Sequence, residues 1–392
     1  MSVERGGILA ALVLFVAAGC SRNEPRETVL AEAYVGPSTL RLRQDLTSPT
    51  ADGPTLRHGE KVEIIGRRRI FVRVRTARGE RGWVLMRQLL SPRQMEDLNR
   101  LAERAARMWS HGVATVYDPL NVHTEPNRQA PSFYQIQPGE HVHVVAQRLA
   151  PRVPYQNPAL LPPPSRPASR AARRRKEEKL LVPMPPAPKP PPNWLELSHA
   201  TPEELAQRRP PKPTPVDTWA LVRLPNGRAG WVLARALRME IPDEVAQYSE
   251  GHRITSYFSV GQVRDGDQIK HNWLWTTISP GDYPYDFDSF RYFVWNVRRH
   301  RYETAYVQRR LKGYFPVKVH PVEVTLGGRK QTWPGFSVIL EGEDGVRYRH
   351  TYAYQVYVVR LVLKTPWQPE GPEEEWAALA APVGTDRQLA VQ

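Results

Sequence analysis

A chain of 392 residues exceeds the roughly 100 to 200 residues of a usual domain, so two or three separate cores are expected. Hydrophobic residues at 41% and aromatics at 9% are ordinary for globular material. The formal net charge of +15 points to anionic partners, and a single cysteine excludes both an internal disulfide and a paired-thiolate metal site.

At the N-terminus, Arg5 precedes an apolar run from Ile8 to Ala18 that is too short for a comfortable transmembrane helix. The run closes on Ala17, Ala18 and Gly19 directly before Cys20, small residues that suit a processing site. This junction resembles the lipobox of bacterial lipoproteins. The resemblance implies that residues 1–20 are a signal peptide ending at the lipobox cysteine, and that Cys20 is diacylated on its sulfur and becomes the mature N-terminus. Each buried acyl methylene contributes about 0.8 kcal/mol, so two or three chains hold a protein firmly where one is marginal. The expected first partner is therefore a membrane, with the protein facing the periplasm from the cell membrane or the outer membrane. Ser21 after the cysteine suggests outer-membrane sorting. An uncleaved or conventionally cleaved signal segment also places the chain outside the cytoplasm, which removes nucleic acid from the expected partners.

Beyond the leader, three short blocks recur in the same order. Leu40-Arg41-Leu42-Arg43 matches Leu120-Asn121-Val122-His123, and the stretch Arg57 to Ile65 matches Gln137 to Val145 with Gly59-Glu60 and Gly139-Glu140 held. Phe71 to Leu90 matches Trp219 to Arg238, including Gly82-Trp83-Val84-Leu85 against Gly230-Trp231-Val232-Leu233. Period-2 alternation at Val62, Ile64 and at Val72, Val74 turns one side chain in two toward a core, as in a half-exposed antiparallel strand. Asn226-Gly227 is the sharpest hairpin signal.

These blocks resemble the bacterial SH3-like domain family. The likeness covers residues 34–90, and residues 113–238 once a long insertion is set aside. It implies two small, partly open β-barrels of five to six strands that bind peptides or cell-wall material without catalysing anything. Phe71, Trp83, Tyr117, Tyr134, Trp219 and Trp231 are the candidate ligand-binding residues, because aromatic rings bury large area at little rotamer cost. Trp83 and Trp231 follow a glycine on the closing strand and suit core or groove wall. Tyr117 and Tyr134 lie in or near loops and are better placed to meet a ligand.

Between the repeats, residues 91–112 read as a connecting helix, opened by Ser91-Pro92 and closed by His111-Gly112. Met95, Leu98, Leu101, Ala105 and Met108 form one apolar stripe for docking on a barrel. The insertion at 148–216 holds 19 of the chain's 39 prolines and a surplus of basic residues, a composition expected to stay mostly disordered or polyproline-like. It interrupts the second repeat at a hairpin tip, where repeat one has only Gly66 to Ile70.

Residues 244–367 hold 23 of the 36 aromatic residues and are dominated by strand signals. Phe290 to Val297, Tyr302 to Leu311, Phe336 to Glu341 and Val346 to Leu363 are the clearest, and an antiparallel sandwich or barrel of about seven strands is expected. Arg347, Tyr348, Arg349, Tyr352, Tyr354 and Tyr357 are consistent with a glycan-binding face or with a soluble sheet edge. Residues 368–392 read as a tail.

The overall expectation is a mainly β protein: two SH3-like barrels joined by a helix, a C-terminal β domain, and a disordered Pro/Arg-rich insertion. No catalytic residue, metal site or cofactor is expected. Cys20, once acylated, cannot act as a nucleophile, and no Gly-rich phosphate loop, nucleophile elbow or paired-histidine helix is present. His141-Val-His143 with His123 is the one tempting zinc pattern, at ordinary exposed strand positions. The expected function is a non-catalytic, lipid-anchored envelope protein whose barrels bind peptidoglycan or a peptide or protein partner. Alternatives are a structural component of an envelope or secretion assembly, and a cell-wall hydrolase using Asp265, Asp267, Asp282, Asp286 or Asp288.

Overall fold

The two repeats fold into two copies of one strand order. In the computed structural model, which describes residues 28–47, 51–155, 160–161, 192–194, 214–355, 358–372 and 374–376, the first copy contains seven strands. They are β1 Ala31–Val35, β2 Thr39–Arg41, β3 Thr55–Arg57, β4 Lys61–Arg68, β5 Phe71–Thr76, β6 Arg81–Leu85 and β7 Leu89–Leu90. The second copy repeats them as β8 Val113–Thr115, β9 Leu120–His123, β10 Ser132–Ile136, β11 Val142–Pro151, β12 Val216–Arg223, β13 Ala229–Leu233 and β14 Arg238–Met239. Its hydrogen-bonded order is β10-β9-β13-β12-β11-β8-β14. Barrel one has the same order, β6-β5-β4-β1-β7, with the β2-β3 hairpin joined to β6 through a backbone bridge between Arg43 and Trp83. Each copy has two short strands more than the smallest barrel expected.

The repeated motifs have local causes. Gly59 and Gly139 take φ of +83° and +86°, where a β-carbon is strained, and the following Glu60 and Glu140 carboxylates accept the backbone N–H of Arg57 and Gln137. Gly82 and Gly230 lie where the early strand crosses the closing one. A β-carbon there would come within 2.6 Å of Leu42 or Val122, so only glycine admits the crossing. β4 and β11 carry a register shift at corresponding places, Ile64/Gly66 and Val144/Ala146, and such bulges bend a strand so that a sheet can wrap. Inward residues then form one core per barrel: Val62, Ile64, Val72, Val74 and Val84 in the first, Val142, Val144, Ala220, Val222 and Val232 in the second.

Helix α1, Pro92–Arg107, is opened by a capping box in which Ser91 Oγ accepts from Gln94 N and the Gln94 side chain accepts from Ser91 N. It ends five residues short of Gly112 and docks on barrel two through Leu98, Leu101 and Ala105, while also touching β1 and β7 of barrel one. The barrels meet directly at His58, whose ring lies 5.2 Å from that of Phe133.

After the short helix α2, Asp243–Ala246, the C-terminal domain is a single antiparallel meander. Its strands are β15 Arg253–Asp265, β16 Gln268–Ile278, β17 Phe287–Asn296, β18 Arg301–Leu326, β19 Arg329–Glu341, β20 Arg347–Gln355 and β21 Val358–Pro366. Val346 to Leu363 is thus a hairpin of two strands. The sheet curls until β15 meets its far side: Tyr292 Oη donates to the Val260 carbonyl at 2.6 Å, and Val260 shares a core with Phe290, Phe336 and Tyr352. The signal segment with Cys20, most of the insertion and residues 377–392 lie outside the described residues.

Candidate binding site

Barrels one and two present the same outer face differently. In barrel one, strand alternation points Phe71, Arg73 and Trp83 outward, half-buried, with the Arg43 guanidinium 5.9 Å from the Phe71 ring. In barrel two the matching Trp219 and Trp231 are buried, so Trp231 takes the core position its place after a glycine suits, and Trp219 is withdrawn from a ligand. Helix α1 packs Leu101, Ala105 and Met108 into the same cluster, and the Trp376 ring lies 6.3 Å from that of Trp231. Tyr117 is 72% exposed beneath the Arg238 guanidinium. Tyr134 is half-buried and donates its hydroxyl to Glu140, a bond to a carboxylate that pushes the phenol up to about 12.

Barrel one is also filled from outside its own sequence. Leu160 and Leu161, from the insertion, are only 8% and 7% exposed and belong to the cluster formed by Val35, Leu42, Ile64 and Val74. The approach to them is built. Beyond β11, the Val153 carbonyl accepts from Asn127, the Tyr155 N–H donates to Gln129, and Gln94 at the start of α1 donates to the Tyr155 hydroxyl at 3.1 Å. Burial pushes that phenol up to about 12. Within the insertion, expected to be mostly disordered or polyproline-like, the described first residues and this leucine pair are tied to both barrels.

The aspartates are held separately. Asp265 accepts from Trp295 Nε1 and pairs with His300, Asp282 accepts from Thr218, Asp288 accepts from the Ser279 N–H, and Asp267 is exposed in the β15–β16 turn. Asp286 is buried and accepts from the Phe315 N–H at 2.8 Å; burial pushes its carboxyl up to about 6 against the opposing pull of Arg347 and Arg253. A carboxyl with a raised folded pKa favours the folded state fully below its ordinary value near 3.8 and loses that contribution as pH rises through about 6. Asp286→Asn is therefore expected to stabilise the protein by up to about 3 kcal/mol at pH 8, with no gain left at pH 3. Hydrogen exchange of the C-terminal strands across that range checks it; a loss at pH 8 would show a productive buried carboxylate.

The three histidines also diverge: His141 pairs with Glu240, His143 with Ser110, and His123 with the Ala130 carbonyl. Among the described residues no group of three or more His, Cys, Asp or Glu side chains gathers. Of the strand arginines and tyrosines, Tyr352 is core, Arg347 covers the Tyr314 ring at 3.7 Å, Tyr348 donates to Asp344, and Tyr354 lies tilted against Tyr292 at 5.0 Å. Tyr357 lies outside the described residues.

Barrel two and the C-terminal domain are joined by the Tyr257 N–H donating to the His111 carbonyl and by Thr218 donating to Asp282. Glu370, Glu374 and Trp376, in the stretch read as tail, complete this junction. Lys318 pairs with Glu370 at 2.6 Å and Glu374 at 3.0 Å, Arg349 pairs with both carboxylates, and the Arg104 guanidinium sits 4.9 Å from the Trp376 ring. Only the isolated Trp376 beyond an acidic run hinted at this in the sequence.

No family model and no curated protein matches the chain. Among solved structures, a similar chain is NlpC2 from Trichomonas vaginalis, 9% identical, covering 87% of this chain and 98% of that one, with a TM-score of 0.14. A likeness of that size supports no conclusion about function.

Proposed function

We propose that this is a lipid-anchored, non-catalytic protein of the bacterial envelope whose first SH3-like barrel binds a leucine-bearing peptide segment of an envelope protein, with peptidoglycan, whose stem peptides carry alanine in place of leucine, as the second reading. The observation that carries the reading is Leu160-Leu161, a pair from another domain's insertion seated in the hydrophobic cluster of barrel one. An opening that accepts one apolar pair offers the same pockets to another apolar segment, and a tethered occupant competes at high effective concentration. The basic surplus of barrel one and of the insertion favours an anionic setting, at about 1 kcal/mol per well-placed cation near a charged surface. The separate hydrogen-bond commitments of the aspartates support binding rather than hydrolysis.

Two measurements test the setting. Mass spectrometry of the protein recovered from its native membrane is expected to find Cys20 acylated at the N-terminus; an unmodified chain beginning at Met1 overturns the anchor. Purified wall sacculi are expected to co-sediment the protein at low ionic strength and to release it as salt screens the arginines. Absence from the low-salt pellet would leave only a protein partner.

A further inference from the structure

A cavity of about 310 Å³ opens between the end of α1, β11 of barrel two, β18 and the residues Glu370, Gly371 and Glu374. Its wall is apolar at Met108, Trp109, Val145 and Pro316, and Trp109 is 53% exposed. Of the charged groups along it, Lys318 is held by Glu370 and Glu374, and both carboxylates also hold Arg349, while Arg107 lines it from the end of α1. A charged ligand would have to break these pairs. A neutral one meets them as fixed hydrogen-bonding groups.

The remaining unmet group is His111, which lines the cavity at 1% exposure with its face stacked 3.9 Å from the Phe315 ring. The ring makes a hydrogen bond with the Val145 backbone, while Nδ1 has no partner among the described residues. A neutral imidazole donating to a carbonyl from Nε2 carries its lone pair on Nδ1, so the site offers a buried acceptor that calls for an N–H or O–H. Burial holds the imidazole down to about 3, which keeps that lone pair available throughout the physiological range.

We infer that this junction cavity, apart from either barrel groove, binds one neutral pyranose ring, of the N-acetylated amino sugar class. The exposed Trp109 indole is a platform for the apolar face of the ring. An acetamido group carries a methyl for Met108, Val145 and Pro316, and an N–H that His111 Nδ1 would accept once a small rotation of the buried ring turns that atom to the cavity. The cavity volume lies at the low end of the ~300–1,000 Å³ of small-molecule sites, which suits one ring rather than a longer chain.

The test is calorimetric titration of the full protein with the N-acetylglucosamine trimer, and with cellotriose, which has a hydroxyl at each acetamido position. Saturable binding of the N-acetylated trimer is expected, weakened about 10-fold or more by Trp109→Ala and only a few-fold by Trp109→Phe, in keeping with the ~1–3 kcal/mol of a stacking platform. Trp109 is exposed enough for both variants to fold. Cellotriose is expected to bind about three- to tenfold more weakly, because its hydroxyl brings no methyl to the Met108, Val145 and Pro316 wall. The chain carrying Leu160→Asp and Leu161→Asp is expected to bind the trimer unchanged, so failure of the barrel reading does not touch this one. No saturation at millimolar sugar, equal binding by Trp109→Ala, or equal affinity for cellotriose overturns it.

Discussion

Trp231→Ala is expected to lower stability by about 3–5 kcal/mol, and Trp83→Ala, at the matching position of the other repeat, by less than about 1.5 kcal/mol. Both tryptophans follow the glycine of the closing strand and both point away from their own barrel core. The difference lies in what covers them. Trp231 is packed with Leu101, Ala105 and Met108, with Trp376 beyond, so its truncation leaves a cavity between α1 and barrel two. Trp83 keeps part of its surface in solvent. Hydrogen exchange resolved by segment measures each barrel separately, which a single unfolding curve of a multidomain chain does not. Protection of β11, β12 and α1 should fall in Trp231→Ala, while protection of β4 and β5 should change little in Trp83→Ala. Equal losses at the two sites would contradict the different covering of the two faces.

Leu160→Asp combined with Leu161→Asp is expected to release the insertion from barrel one. Each buried leucine contributes about 1.5–3 kcal/mol, and an aspartate cannot take its place in an apolar cluster without a partner. Amide exchange at Val153, Tyr155 and the leucine positions should become fast, and a hydrophobic dye should bind the exposed opening. The strands β1, β4 and β5 should stay protected, because Val35, Val62, Ile64, Val72 and Val74 form a core by themselves. Collapse of protection throughout barrel one would instead make the two leucines integral core, with no opening for a partner to use.

The barrels were legible in the sequence because their motifs are local. A glycine at positive φ followed by a glutamate that caps the turn, and a glycine that lets two strands cross, leave the same residues at the same spacing twice. The covering of Trp231 was not legible, because it depends on a helix face and on Trp376, 145 residues further on. Leu160-Leu161 lies among prolines and arginines whose average composition argues against any packed core, and two residues are too few to shift that average. In the C-terminal domain, alternation identified strands but not their curl. That curl is what turns Tyr352, a surface tyrosine by pattern, into the centre of a core. The junction cavity was equally hidden, since Trp109, His111 and Lys318 meet only once β18 crosses behind α1.

The central claim is that barrel one has a peptide-binding opening that the chain itself fills. The direct measurement is titration of a synthetic peptide spanning residues 155–166 into the full-length Leu160→Asp, Leu161→Asp protein. Saturable binding is expected, abolished when the peptide carries the same two aspartates and at least about tenfold weaker with the wild-type protein, whose opening is occupied in cis. A folded variant that ignores the peptide, or that binds its aspartate form equally well, would contradict the account.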